Sequence, residues 1–436
     1  MSLKREGISK RYRRIAGLLN ARLPDLRLDF VLDRRRRQGR LWSLPTILKT
    51  VLVGLMSGCT SLAQVESLTA EMSNPMRRWL GIQRRLADTT MRDVLVRVLP
   101  YELRQTIYRM MKAALRRKAL PLSPQLPFHA AALDGKATST DTWDNHYAQQ
   151  VKADDGKKAY GLVRMVNAVL VSTASKPLLD SVPIPADTNE MGIFPIVFEA
   201  LQRTYGDLIR LVTYDAGATS QEHCQLVVDA DKHFLFRIKN DNWLILQAAK
   251  RFLGLRPPSQ ATAHTEDVLS KSEKVSIHRY FFAATVLRTS FWGFPQVKTF
   301  IRVLSEKVRD GQVIAQENRY FISSLPVNSI LHSQWLALVR NHWGVENNLH
   351  WTLDVIFNED DKPGIHADAR GMVVMMLLRR IAYNLLALFR SVTQRSDDKR
   401  QTPWKDLLRW VYQTLIAATD VQLHKLRRRE VASVTP

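Results

Sequence analysis

The chain has 436 residues, 45% apolar and 24% charged, enough for two or three domains around a sizeable core. Its 64 Lys and Arg against 41 Asp and Glu leave a formal charge of +23, which favours a polyanionic partner through counterion release. Two cysteines, Cys59 and Cys224, exclude a disulfide framework and a Cys-rich zinc module.

The start, M-S-L-K-R-E-G, lacks the apolar core of a signal peptide, and the run Leu44 to Met56 is interrupted by Lys49 and too short to span a bilayer. A cytoplasmic, nucleoid-associated location is the expectation. Residues 1–130 carry a net +17, residues 131–370 a net −1 and residues 371–436 a net +7. Basic flanks therefore surround a near-neutral centre.

Residues 1–40 read as a basic arm, with Arg34, Arg35, Arg36 and Arg37 as candidate phosphate contacts. Residues 41–118 read as a small helical bundle with basic edges, with room for a helix-turn-helix. Ser43-Leu44-Pro45 is a helix start, Asn74-Pro75 a break, and Ala87-Asp88-Thr89-Thr90 another start. The stretch A-L-P-L-S-P-Q-L-P at 119–127 reads as a linker.

From Phe128 the pattern predicts strands: F-H-A-A-A-L-D, then Val163 to Ser172, then Pro177 to Ile184. A helix over Phe194 to Tyr205, a strand over Leu208 to Tyr214, a helix over Ser220 to Asp229 and a strand over His233 to Ile238 follow. Hairpins first, then strands alternating with helices, define the first part of a mixed α/β core over 128–239. Residues 240–325 read as a β-rich insertion, with strands at Lys274 to Leu287, Gln296 to Val303 and Glu317 to Ser323, and a turn at Asp310-Gly311. Helices over 333–358 and 371–392 complete the core within 326–392, and 393–436 is a basic helical tail containing Lys425 to Arg429.

Three acids stand inside or beside apolar runs: Asp134 before Gly135, Asp215 before Ala216-Gly217, and Glu346 in R-N-H-W-G-V-E-N-N-L-H-W. Buried acids are costly and rarely lack a partner, and small neighbours let a ligand approach the backbone. Asp215 follows Asp134 by 81 residues, and Glu346 follows Asp215 by 131, which leaves room for the insertion. At helical spacing His342, Glu346 and His350 share one face. Three carboxylates suit Mg²⁺, and two such ions suit phosphodiester chemistry.

Blander readings compete. A strand-end acid often caps a turn. Asp354, Glu359 and Asp360 rival Glu346 by proximity, and His342, Glu346 and His350 could alternatively hold zinc or di-iron. Lys136, Arg340 and Lys239 are phosphate contacts or surface cations; Trp143 and Trp243 are core residues or stacking platforms for a base. No Walker-type glycine loop occurs in the sequence, so ATP is not expected.

The motifs A-L-D-G-K, V-T-Y-D-A-G-A-T-S-Q-E, F-L-F-R-I-K-N, R-Y-F-I-S-S-L and R-N-H-W-G-V-E-N-N-L-H-W-T-L-D-V-I-F-N-E-D-D resemble those of the DDE insertion-sequence transposases, specifically the bacterial group that includes the H-repeat-associated proteins. The resemblance covers roughly residues 40 to 392. It implies an α/β fold: a ribonuclease-H-like mixed sheet flanked by helices, with an N-terminal helical DNA-binding region and a β-rich insertion. It also implies that Asp134, Asp215 and Glu346 are catalytic and bind two Mg²⁺ ions, with Mn²⁺ as a substitute. The implied partners are double-stranded DNA (the element's terminal repeats and the target) and a second copy of the chain in the synaptic complex.

Lys136, Arg340, His342 and His350 are the expected DNA contacts near the site, with the two histidines alternatively supporting the acids from behind or simply filling the core. The Tyr, Arg and Lys that the wider superfamily spaces around its glutamate correspond here to Val339, His342 and Leu353, and Tyr214 stands where the group usually has Gly. A non-catalytic DNA-binding relative and a nuclease without strand joining are the alternatives.

Overall fold

The computed structural model describes residues 2–144, 146–152, 158–215, 217, 219–270, 272–287, 292–393 and 402–419. The tail Lys425 to Arg429 lies outside the described residues.

Helix α1 (Ser2–Arg22) occupies most of the expected basic arm, and Ile15, Leu18 and Leu19 are buried. Over residues 15–19 the arm is therefore not solvated: apolar side chains at helical spacing seat it on the bundle. Helices α2 (Leu44–Met56), α3 (Leu62–Glu71), α4 (Asn74–Leu80), α5 (Asp88–Leu95) and α6 (Pro100–Arg116) follow. Ser43 caps α2 by accepting the Thr46 N–H at 3.2 Å, and Pro45 sits in the first turn, as the sequence suggests. A Cβ on Gly54 would stand 2.7 Å from Val65 Cγ2, so glycine allows α2 and α3 to pack closely.

The described strands form one ten-stranded sheet: β1 (Ala130–Thr140), β2 (Ala148–Val151), β3 (Tyr160–Leu170), β4 (Leu178–Ile184), β5 (Leu211–Tyr214), β6 (His233–Ile238), β7 (Ala263–Ser270), β8 (Val275–Thr285), β9 (Thr299–Arg309) and β10 (Gln312–Ser323). The spatial order is β2-β3-β1-β5-β6-β10-β9-β8-β7, with β4 also paired to β3. β1 is antiparallel to β3, and β5 is parallel to both β1 and β6. Helix α7 (Glu190–Tyr205) joins β4 to β5, and α8 (Gln221–Asp229) joins β5 to β6.

The insertion is not a separate β unit, because β10 pairs with β6 and continues the central sheet. It also contains a helix, α9 (Trp243–Leu253), and the edge strand β7, neither of which the sequence pattern predicts. Asp310 (φ 50°) and Gly311 (φ 80°) make the expected turn between β9 and β10, both in the left-handed region that a tight hairpin turn requires.

After β10 the chain forms α10 (His332–His342), two wide π-helical segments (Val345–His350 and Thr352–Ile356), α11 (Ala369–Leu388) and α12 (Trp404–Ala417). Helix α11 is long and apolar enough to cross a membrane, but 94% of that stretch is buried inside the protein. It packs on α2, α5, α6 and β4, so the N-terminal helices and the sheet share one core across the expected linker. Buried polar groups tie the two together. Arg104 on α6 donates to both Asp180 oxygens on β4, at 2.9 and 2.7 Å, and the Tyr108 hydroxyl donates to Asp180 Oδ2 at 2.6 Å.

Candidate active site

Asp134 and Asp215 meet at the middle of the sheet. The parallel ladder of β1 and β5 ends at the pair Leu133 and Tyr214, and each acid is the next residue of its strand. Both therefore leave neighbouring strands at one level, about 5 Å apart by strand spacing. Asp215 is at its strand end, as expected. Asp134 is not: β1 runs on to Thr140 against β3, so the acid marks the point where β1 loses its β5 neighbour.

Segment Val345–His350 crosses this level, packing on β1 and β3. Its wide turns replace the regular helix expected for 333–358. His342 is buried, with Nδ1 2.8 Å from Thr213 Oγ1 on β5, whereas Glu346 is exposed. Neither histidine is a surface DNA contact. Burial pushes His342 down to about 4 and His350 to about 3, so both are neutral imidazoles at pH 7.

The surroundings of His350 define its tautomer. Asn167 Oδ1 accepts from the Ser181 hydroxyl at 2.7 Å and from Arg380 Nε at 2.9 Å. The Asn167 amide nitrogen therefore donates to His350 Nε2 at 3.0 Å. The imidazole proton is left on Nδ1, which stands 3.4 Å from Asp134 Oδ2. Arg380 is in turn paired with Glu359, at 2.9 and 3.1 Å, both side chains fully buried. A buried polar chain thus runs from Asp134 through His350, Asn167 and Arg380 to Glu359.

That chain occupies one rival of Glu346. The other two, Asp354 and Asp360, hold Lys136 Nζ at 2.6 and 2.9 Å. Lys136 is itself only 9% exposed, so it is neither the expected phosphate contact nor a surface cation in this conformation.

The carboxyl of Asp134 is pushed up to about 8, first by burial and then by the negative charges of Glu346, Glu190 and Asp215; the backbone N–H of Gly135 opposes this. The three predicted acids thus feel one another. Glu190, at the first turn of α7, is a fourth that the sequence reading did not include. A Cβ on Gly135 would lie 1.8 Å from Glu190 Oε1, so this glycine is what lets the glutamate reach the backbone beside Asp134. Its only sequence signal is the helix start D-T-N-E, where the Asn189 side chain accepts the Gly192 N–H at 2.9 Å.

Hard oxygen donors of this kind suit a divalent cation. No three His, Cys, Asp or Glu side chains among the described residues stand close enough to hold an ion as they are. Asp215 is instead paired with Lys239 at 3.0 Å and Arg237 at 3.4 Å. The donor set fits the metal in kind, and ligation requires the carboxylates to draw together.

The expected DNA-contacting arginines divide. Arg34 pairs with Glu102 at 2.9 Å. Arg35 is buried, donating to Asp33 at 2.8 Å and to the Trp42 carbonyl at 2.7 Å, so it holds the fold and faces no phosphate. Arg36 and Arg37 are exposed. Arg340 lines a cleft of about 360 Å³ together with Asp267, Arg279, Arg319, Trp343, Glu346 and Asn347.

Residues 130–385 match the family model described as the transposase DDE domain, and the chain belongs to that family. Among curated proteins it is similar to the H repeat-associated protein YhhI of Escherichia coli K12, 22% identical over 241 residues (53% of this chain, 60% of the relative). It is also similar to YncI of Escherichia coli O157:H7, 23% identical over 239 residues (53% and 58%). Both relatives carry the name transposase. The chain thus spans about 60% of the length of the curated relatives it matches. A cryo-EM structure of a piggyBac transposase synaptic complex with hairpin DNA aligns with a TM-score of 0.43 and 10% identity, covering 98% of this chain and 84% of that one.

Proposed function

We propose that the protein is a transposase that binds the ends of its own insertion element, cleaves phosphodiester bonds there and joins the freed 3′ ends to target DNA. Asp134, Asp215 and Glu346 are the catalytic acids, on a ribonuclease-H-like core formed by β1 to β6 with α7 and α8. The observation that carries this reading is the meeting of Asp134 and Asp215 at the end of one parallel ladder, with the segment bearing Glu346 packed across it.

These carboxylates would hold two Mg²⁺ or Mn²⁺ ions, which supply activation of the attacking oxygen and stabilisation of the leaving one. The chain's own residues do the rest. Asp134 is held in position by the buried His350–Asn167–Arg380 chain, which keeps the imidazole neutral and its Nδ1 proton toward the acid. Lys239 and Arg237 hold Asp215 until it turns inward. Arg36, Arg37 and the other exposed cations of the helical region grip the backbone of terminal DNA, and two copies of the chain pair the two ends.

The test is incubation of the purified protein with Mg²⁺ or Mn²⁺ and pre-nicked DNA ending in the inverted repeats that flank its gene. Joined product supports the proposal. Cleavage without joining makes the protein a nuclease, and a mobility shift without chemistry makes it a DNA-binding protein.

A further inference from the structure

The cleft beside Glu346 is lined by three arginines and two acids. Asp267 comes from β7, the edge strand at the far end of the sheet, which meets α10 here. Arg340 Nη2 on α10 lies 2.5 and 2.7 Å from the two Asp267 oxygens, and Arg279 Nη1 on β8 also bonds Asp267 Oδ2. Arg319 on β10 stacks its guanidinium over the Trp343 ring, 4.4 Å from the centroid, and bonds Glu317 at 2.6 Å. Glu317 continues to Arg237 at 3.6 Å, and Arg237 to Asp215 at 3.4 Å. The cleft is thus coupled to one of the acids through charged side chains.

None of the groups around Asp267 is deeply buried: side-chain exposure is 34% for Asp267, 36% for Arg340, 21% for Arg279 and 27% for Arg319. Three guanidinium groups line one open concavity, and two of them converge on a single carboxylate. Guanidinium forks of this kind match the paired oxygens of a carboxylate or a phosphate equally well. A carboxylate is the ligand the chain itself can supply.

We propose that this cleft is a phosphate-binding site for the DNA strand running past Glu346, with Asp267 as an internal substitute that occupies Arg279 and Arg340 until the DNA phosphate displaces it. The proposal rests on the reading of the protein as a DNA-processing enzyme and adds to it a residue that opposes DNA binding in the free protein.

The experiment is equilibrium binding of a fluorescein-labelled 30-base-pair duplex by the full-length protein, followed by anisotropy over a salt series in EDTA. Asp267→Asn keeps the size and hydrogen-bonding shape of the side chain but removes its charge. It is expected to tighten binding by about three- to tenfold. Arg340→Gln and Arg279→Gln are each expected to weaken it by about tenfold and to reduce the salt slope by about 1. Adding Arg340→Gln to Asp267→Asn should cancel most of the gain.

Thermal melts establish that each variant is folded, and Asp267→Glu serves as a second variant that retains the charge and should bind like wild type. Unchanged or weaker binding by folded Asp267→Asn overturns the substitution idea while leaving the transposase reading intact. No binding of any duplex by the wild-type protein overturns both.

Discussion

Removing the charge of Asp134 is expected to stabilise the metal-free protein. The carboxyl is held at about 8 against an ordinary 3.8, because ionising it places a buried negative charge among Glu346, Glu190 and Asp215. At about 1.4 kcal/mol for each tenfold change in proton affinity, that corresponds to about 6 kcal/mol against the charged form. The side chain is 19% exposed, and its neighbours can move apart, so about 2–4 kcal/mol is the amount expected in practice.

The sign follows from linkage. This is a carboxyl whose folded value is raised, so below pH 3.8 both states are protonated and nothing is lost. Between 3.8 and 8 the unfolded chain ionises first and stability falls; above 8 the full loss is present. Asp134→Asn should therefore raise the melting temperature in EDTA by several degrees at pH 8.5 and by less at pH 5. Adding Mg²⁺ or Mn²⁺ should raise the wild-type value at pH 8.5 and leave the variant nearly unmoved. A folded Asp134→Asn protein that melts at or below the wild-type temperature at pH 8.5 would refute the argument that these acids repel one another across a shared site.

Asp134→Asn, Asp215→Asn and Glu346→Gln are each expected to abolish cleavage of an element end while leaving its mobility shift nearly intact; wild-type-like nicking by any of them would remove that residue from the proposed triad. Replacing His350 by Phe should lower the cleavage rate by about 10–100-fold and weaken Mn²⁺ binding, since the residue acts by holding Asp134 and not by contacting DNA; unchanged Mn²⁺ affinity would contradict that role. Glu359→Gln strands the fully buried Arg380 without its counter-charge and should cost about 3–5 kcal/mol, read as a large drop in melting temperature; a neutral result would mean the pair contributes nothing to the fold. Gly135→Ala should displace the Glu190 carboxylate, whose Oε1 would lie 1.8 Å from the new Cβ, and lower the proton affinity of Asp134; a pH–stability profile identical to wild type would show that Glu190 does not act on it.

The elements legible in the sequence were those with strong local signals. His233–Ile238 is an apolar run bounded by polar residues, and its strand has the expected limits. Asp310-Gly311 is a turn dipeptide with a matching backbone. Strand β7 was not legible because A-H-T-E-D-V-L-S is polar and mostly exposed at an edge, so its pairing with β8 is its main signature. Helix α1 was hidden by charge: the arginines obscure Ile15, Leu18 and Leu19, which face the bundle.

Helix α9 is not legible in the sequence because its W-L-I-L run suits a strand as well as a helix and it lies between strand-forming segments. At the site, the motifs located the three acids but not their supports. Glu190 approaches Asp134 only through tertiary packing over Gly135, and Asn167 meets His350 across 183 residues of chain. The wide helical turns after Gly344, which carry the exposed Glu346, follow no recognisable local pattern, and His342 is buried by the packing of α10 on β5.

The most direct test is anomalous diffraction from crystals of the protein soaked in Mn²⁺. The proposed function requires a peak within ligating distance of carboxylate oxygens from Asp134, Asp215 and Glu346, absent from the Asp134→Asn protein treated identically. Mn²⁺ bound elsewhere, with those carboxylates still apart and Asp215 still paired to Lys239, would contradict it.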